Sequence, residues 1–351
     1  MVIFVTHSRI SAMKRIVLTL LMSVISIAAV AQMQPDSTFY IISYWEPGEN
    51  CMYEYYKSEY EIHDGDTTEV TFSRNLQEFK VLSATESSYQ LSVDYLDEYS
   101  SDPKNNILNQ MIIDANGDNR LVFSTDQHGA YLSVDNKDEL TAMFVGLVDP
   151  MLQYMYEEEL KNGGEEAKET MENTRNMLLE LFSNPDYVEE MMVDDLRKLL
   201  YFHGTAMKIG ETYSGDVQVS SFFPGVDAPV EAHVEIYVDP ELSDSYSAVC
   251  RSVKTVSSEK LTESVLMFFK NALDSQGMSE KEAAEALVPL IAELSKIKYS
   301  MEEYLSVEVH LASGWPKAVY YDRYVVAESE EKSVVKVNSC EYKIVNHQPL
   351  D

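Results

Sequence analysis

Tyr89-Gln90-Leu91-Ser92-Val93-Asp94-Tyr95 alternates apolar and polar side chains without a break. A period of two sends successive side chains to opposite faces, as a strand half-buried on one side of a sheet requires. Residues 53–62, rich in Tyr and Glu, alternate less strictly and end at the Gly turn of His63-Asp64-Gly65-Asp66. Residues 69–82 read as a further strand. Residues 107–113 also read as one, running into Asp114-Ala115-Asn116-Gly117-Asp118 and out through Leu121-Val122-Phe123. Asn-Gly between apolar runs is a hairpin signal, since both residues tolerate positive φ. His128-Gly129 then turns the chain into Tyr131-Leu132-Ser133-Val134. Residues 32–135 are therefore expected to form an antiparallel β meander.

The period changes at Asn136. With Glu139 three residues on, it has the form of a capping box. Met143, Leu147, Val148, Met151, Leu152 and Met155 follow at helical spacing, with Pro150 as an expected kink or break. A second helix is predicted over 165–182. Asn184-Pro185 opens a third, whose apolar face carries Val188, Met191, Met192, Leu196, Leu199 and Leu200 and which Gly204 stops. Residues 136–204 thus read as a helical block.

Residues 205–351 repeat the order. Strands are expected over 211–223, 230–238 and 246–256. Helices follow over 258–276 and from Ser279, where Glu282 stands in capping-box register and Pro289 marks a kink. Strands close the chain over 304–311, 317–326 and 334–345. The expected fold class is α+β, with a largely antiparallel, curved sheet packed against helices. Hairpins before helices occur twice, which leaves open two similar halves.

The front end sets an expected location. Met13-Lys14-Arg15 is basic, residues 16–27 are almost wholly apolar, and Ala29-Val30-Ala31 is a small-x-small cleavage site before Gln32. Residues 1–31 read as a cleaved signal peptide with Met13 as the true start, so the mature chain is expected in the periplasm or outside the cell. The net charge of −32 falls to −35 once Arg9, Lys14 and Arg15 are removed. A body this acidic repels phosphate backbones and anionic lipid surfaces, which argues against nucleic acid and against peripheral membrane binding. No cysteine follows the cleavage site, and no second apolar span follows, so no membrane anchor is expected after cleavage.

Chemical motifs are sparse. Asp114, Asn116 and Asp118 have the first spacings of a calcium loop, but Asn119 and Thr125 stand where Gly and an acid are needed. The mature histidines show no HExxH spacing, and no Cys-x-x-Cys exists to complete a zinc set. No metal, no cofactor and no catalytic residue is assigned. Cys250 and Cys340, each in a strand-like run, are the preferred pair for a single disulfide; three buried thiols, Cys51 included, are the other reading. Met143, Met151, Met155, Met191 and Met192 lie on helix faces opposite tyrosine-rich strands, where flexible thioethers could line an adaptable apolar cavity. Ordinary helix–sheet core is the alternative.

Gly314-Trp315-Pro316-Lys317-Ala318-Val319-Tyr320-Tyr321-Asp322 resembles a late signature of secreted proteins of Gram-negative bacteria, most of them uncharacterised. Asn116-Gly117, His128-Gly129 and the stretch from Val134 to Leu140 complete that likeness. The strand-rich ends are also similar to the lipoprotein-carrier (LolA/LolB-like) fold, a curved antiparallel sheet wrapped over helices around an apolar cavity. The resemblance carries no functional residue across. It implies a soluble, extracytoplasmic, non-enzymatic protein binding an apolar or amphipathic ligand, or an envelope protein, in a sheet concavity. An assembly subunit of an envelope complex and a hydrolase built on carboxylates are the alternatives.

Overall fold

The computed structural model describes residues 36–116, 120–162, 165–219, 229–239, 246–275, 278–330 and 332–348. The signal peptide read at 1–31, the glycine of the Asn116-Gly117 turn and the end of the 211–223 strand lie outside them. In chain order the elements are β1 (Thr38–Tyr40), β2 (Asn50–His63), β3 (Asp66–Ala84), β4 (Ser88–Ser100), α1 (Pro103–Asn116), β5 (Arg120–Asp126) and β6 (Tyr131–Val134). Next come α2 (Lys137–Met155), α3 (Glu157–Asn162), α4 (Glu165–Phe182), α5 (Pro185–Leu199), β7 (Ala206–Lys208), β8 (Thr212–Val219), β9 (Val230–Val238) and β10 (Ser247–Val256). The chain ends with α6 (Ser258–Ser275), α7 (Glu280–Leu294), β11 (Lys298–His310), β12 (Pro316–Glu328) and β13 (Ser333–Gln348).

The fold is α+β. One antiparallel sheet of eleven strands runs in the order β6-β5-β4-β3-β2-β13-β12-β11-β10-β9-β8, and β1 pairs β7 separately. Each half is a meander, and the two meet where β2 pairs β13. Aromatic contacts fasten that seam: the Tyr55 and Tyr342 ring centroids are 4.6 Å apart, those of Tyr53 and Tyr342 6.1 Å.

Helices α1, α2 and α5 lie against the face that Tyr53, Tyr55, Phe79, Val93 and Phe123 present, and Phe144, Val188, Leu196 and Leu199 fill the main core from above. Helix α6 covers the far end of the same face, packing Leu261 on Ala232, Val256 and Met301. Between the two apolar clusters, neighbouring positions of β10, β11 and β12 carry Lys254, Glu303 and Arg323.

Three readings need correction. Residues 107–113 are helix, not strand: Pro103 opens α1, and the Asp102 carboxylate accepts from Lys104 N at 2.9 Å, capping it. A short apolar run cannot choose between the two periods, and the start signal Ser101-Asp102-Pro103 decides. Asn136 opens α2 without capping it. Its amide instead accepts from Val122 N at 3.0 Å and donates to Arg120 O at 3.1 Å, tying the helix to β5. Helix α2 continues through Pro150 to Met155. Ser279 and Glu282, by contrast, form the capping box the spacing predicts.

Cys250 and Cys340 form no disulfide; all three cysteines are buried free thiols. The pair sits on β10 and β13 with β11 and β12 between. Three strand spacings of about 4.8 Å separate them by roughly 14 Å, beyond the roughly 7 Å Cα limit of a bridge.

The Gly314-Trp315-Pro316 motif is a packing junction. Gly314 has φ 77°, and a Cβ there would lie 2.5 Å from the Ile42 carbonyl oxygen. Trp315 stacks on Trp45 at 4.6 Å and donates its indole N–H to Glu49 Oε1 at 2.8 Å. His203 donates from Nε2 to the Gly314 carbonyl at 2.8 Å, and burial lowers its pKa, so the ring is neutral.

Candidate functional site

A cavity of about 270 Å³ lies between the covered sheet face and helices α1, α2 and α5. Aromatic and aliphatic walls come from Tyr55, Phe79, Tyr95, Tyr342, Phe144 and Ile112, and polar walls from Lys57, Asn75, Gln77, Asn109, Glu98 and Asp195. Such a mixed lining suits a ligand that carries both apolar and hydrogen-bonding groups.

Two of the predicted methionines line it. Met191 and Met192 project from α5 into the cavity wall. Met143 packs against the main core instead, Met151 is half-buried on α2 outside the lining, and Met155 is 46% exposed at the helix end. Helix α2 turns its own stripe of Leu140, Phe144, Leu147, Val148 and Leu152 inward, and that leaves the methionines to its flanks.

Asp195 is the polar anchor. Tyr55 Oη donates to its Oδ2 at 2.6 Å and Lys198 Nζ donates to its Oδ1 at 2.7 Å. Burial raises the Asp195 pKa, but the Lys198 and Lys57 charges and the Tyr55 hydroxyl outweigh it, and the carboxyl is held below its ordinary value. The Lys198 ammonium also bonds Asp194 Oδ2 at 2.7 Å and stands 4.5 Å from the Tyr321 ring centroid. Burial pushes its pKa down, yet the two carboxylates leave it raised.

Glu98 reaches the cavity through a β-bulge. The β3–β4 register shifts between Arg74 and Leu76, and Asp97 adopts φ 47°. The extra residue reverses the alternation of β4, so Glu98 joins Val93 and Tyr95 on the covered face. Burial raises its pKa.

Sequence reasoning passed over Asp195 although a signal exists. It sits at the seventh position after Val188 in the stripe Val188, Met192, Asp195, Leu199, where a helix of this kind needs an apolar residue. Glu98 leaves no such trace, because strict alternation points it outward.

Among the described residues no group of three or more His, Cys, Asp or Glu is placed to hold a metal ion. No helix there is long and apolar enough to cross a membrane.

Fold and site together define an α+β protein with one large antiparallel sheet and a helix-roofed cavity on one of its faces. No protein-family profile matches the chain, and no curated protein matches it. Among solved structures it is similar to a lipovitellin chain, described for its lipid–protein interactions, at 8% identity over 87% of this chain and 26% of that one, with a TM-score of 0.38. The chain thus spans about a quarter of the lipovitellin chain. Ail, the attachment invasion locus protein of Yersinia pestis, aligns at 5% identity over 85% of this chain and 98% of that one, with a TM-score of 0.14. Neither score establishes a shared fold.

Proposed function

We propose that this is an extracytoplasmic, non-enzymatic binding protein that holds an amphipathic ligand in the cavity beneath α1, α2 and α5. The cavity itself carries the reading: about 270 Å³, its lining interleaving Tyr55, Tyr95, Phe144 and Met192 with Asn75, Gln77 and Asp195. Methionine and ring side chains adapt to an alkyl chain, while amides and the Asp195 anchor suit a polar end. Export rests on the 1–31 segment, and the likeness to lipoprotein carriers points the same way.

Native mass spectrometry of the purified chain before and after organic extraction tests this, together with titration of a fluorescent fatty-acid probe. Retained ligand mass and saturable probe binding are expected. Met192→Trp fills the cavity and should weaken the probe about tenfold. Identical masses before and after extraction, with no saturable probe binding, overturn the reading.

A hydrolase is the second reading, and one observation favours it. Glu98 and Asp195 line the same cavity with pKa values moved in opposite directions, as a general acid and its ionised partner require. Turnover of chromogenic glycosides or esters that Glu98→Gln abolishes would establish it; no turnover across the panel ends it.

A further inference from the structure

A second pocket of about 160 Å³ opens where α5 faces β10, β11 and β12. In a chain with 59 acids against 27 bases, its walls gather Arg197, Lys198, Lys254 and Arg323, with Asp194 and Glu303 as the acids among them. Each of these cations already has a carboxylate partner. What the pocket holds in excess is hydrogen-bond donors.

Glu303 shows this. It is buried, and Lys254 Nζ reaches its Oε2 at 2.7 Å while Arg323 Nε reaches its Oε1 at 2.8 Å. That fixes both cations on the sheet but uses one of five guanidinium donors and one of three ammonium donors. On the opposite wall Arg197 gives one bond, from Nη1 to Glu190 Oε2 at 2.5 Å. On the sheet wall beside Arg323 lies Tyr321, 7% exposed, whose buried hydroxyl has no hydrogen-bond partner among the described residues. An unpaired buried hydroxyl is costly, and its presence beside surplus N–H donors marks a missing acceptor.

We infer that this pocket binds a phosphate-type oxyanion, with Arg323, Lys254 and Tyr321 donating from the sheet and Arg197 from α5. Donors from α5 and from two strands, β10 and β12, match a tetrahedral acceptor, whereas a planar carboxylate would meet only one wall. The same chemistry serves inorganic phosphate and the phosphomonoester headgroup of a lipid. The site stands apart from the proposed function: the cavity ligand touches none of these four donors.

Calorimetric titration of the full chain with inorganic phosphate and, separately, with dihexanoyl phosphatidic acid tests it, with acetate at equal ionic strength as control. Saturable binding is expected for at least one phosphate probe and none for acetate. Free phosphate as the source predicts that inorganic phosphate binds as well as the lipid; a headgroup source predicts that only the lipid binds. Tyr321→Phe should fold at least as well as the parent, since it deletes an unpaired hydroxyl, and should weaken binding about threefold. Arg323→Gln should weaken it about tenfold or more; should that variant misfold, the half-buried Arg197→Gln takes its place. Failure of both phosphate probes to bind, binding of acetate as tight as phosphate, or affinities unchanged in Tyr321→Phe and the arginine variant overturns the proposal.

Discussion

Asp97 decides where a carboxylate points. An L residue at φ 47° is strained unless its side chain is small and polar, and Asp is one of the few residues that tolerate it. Asp97→Val should cost about 1–2 kcal/mol in urea denaturation, while Asp97→Gly should be neutral or slightly stabilising. His203 and His310 set a pH dependence at the same scale. Burial holds both imidazoles below their ordinary value. The unfolded chain therefore takes up protons that the folded chain refuses, and stability should fall as pH drops below about 6.5. His203→Gln should flatten that slope in urea midpoints collected between about pH 7 and 5. A separate loss should begin near pH 4.5, where Glu303 protonates in the unfolded chain, and deepen near 3.8, where Asp195 does. Burial pushes both carboxyls up, but Lys254 with Arg323, and Lys198, hold them ionised in the fold.

At the scale of elements, the segment before β2 is tied down by glycines. Ser43 N donates to His128 O at 3.0 Å, Tyr44 N donates to Ser313 O at 3.1 Å, and a Cβ on Gly314 would stand 2.6 Å from Ser43 Cα. Gly314→Ala combines a left-handed φ with a clash against backbone that cannot move aside. It should cost about 3 kcal/mol or more, read as a lowered thermal midpoint. Gly65, also at positive φ, has open space around it, so Gly65→Ala should cost about 1 kcal/mol from φ strain alone. The Gly314-Trp315-Pro316 stretch stands out in the sequence, and in the structure it holds the segment before β2 against the β11–β12 turn.

At the scale of the whole molecule, the sheet keeps its thiols apart. Burial raises the Cys340 thiol pKa to about 12 and pushes those of Cys51 and Cys250 higher still. The native protein should not react with a thiol-specific chromogenic disulfide, should release three equivalents on unfolding, and should migrate identically with and without reductant. Reaction of the native state would contradict the burial of the thiols, and a mobility shift would contradict the strand order that separates Cys250 from Cys340.

Local patterns were enough for most elements. The alternation at Tyr89–Tyr95, the Asn184-Pro185 start of α5 and the Ser279–Glu282 box all act within a few residues, and the structure places strand, helix and cap there. Residues 107–113 escaped because seven apolar-leaning residues satisfy either period. The site escaped further, since its parts come from β2, β4, α5 and β13 and meet only when β2 pairs β13.

Sequence by itself determined the α+β class, the positions of most elements and the acidic charge, because period, capping and composition are short-range or additive properties. Tertiary structure alone decided the pairing of the two meanders, the turn of Glu98 into the cavity, the separation of Cys250 from Cys340 and the placing of Arg197 and Arg323 around one pocket. Those depend on strand order, a single bulge and the seating of α5, which are long-range choices that no window of neighbouring residues contains.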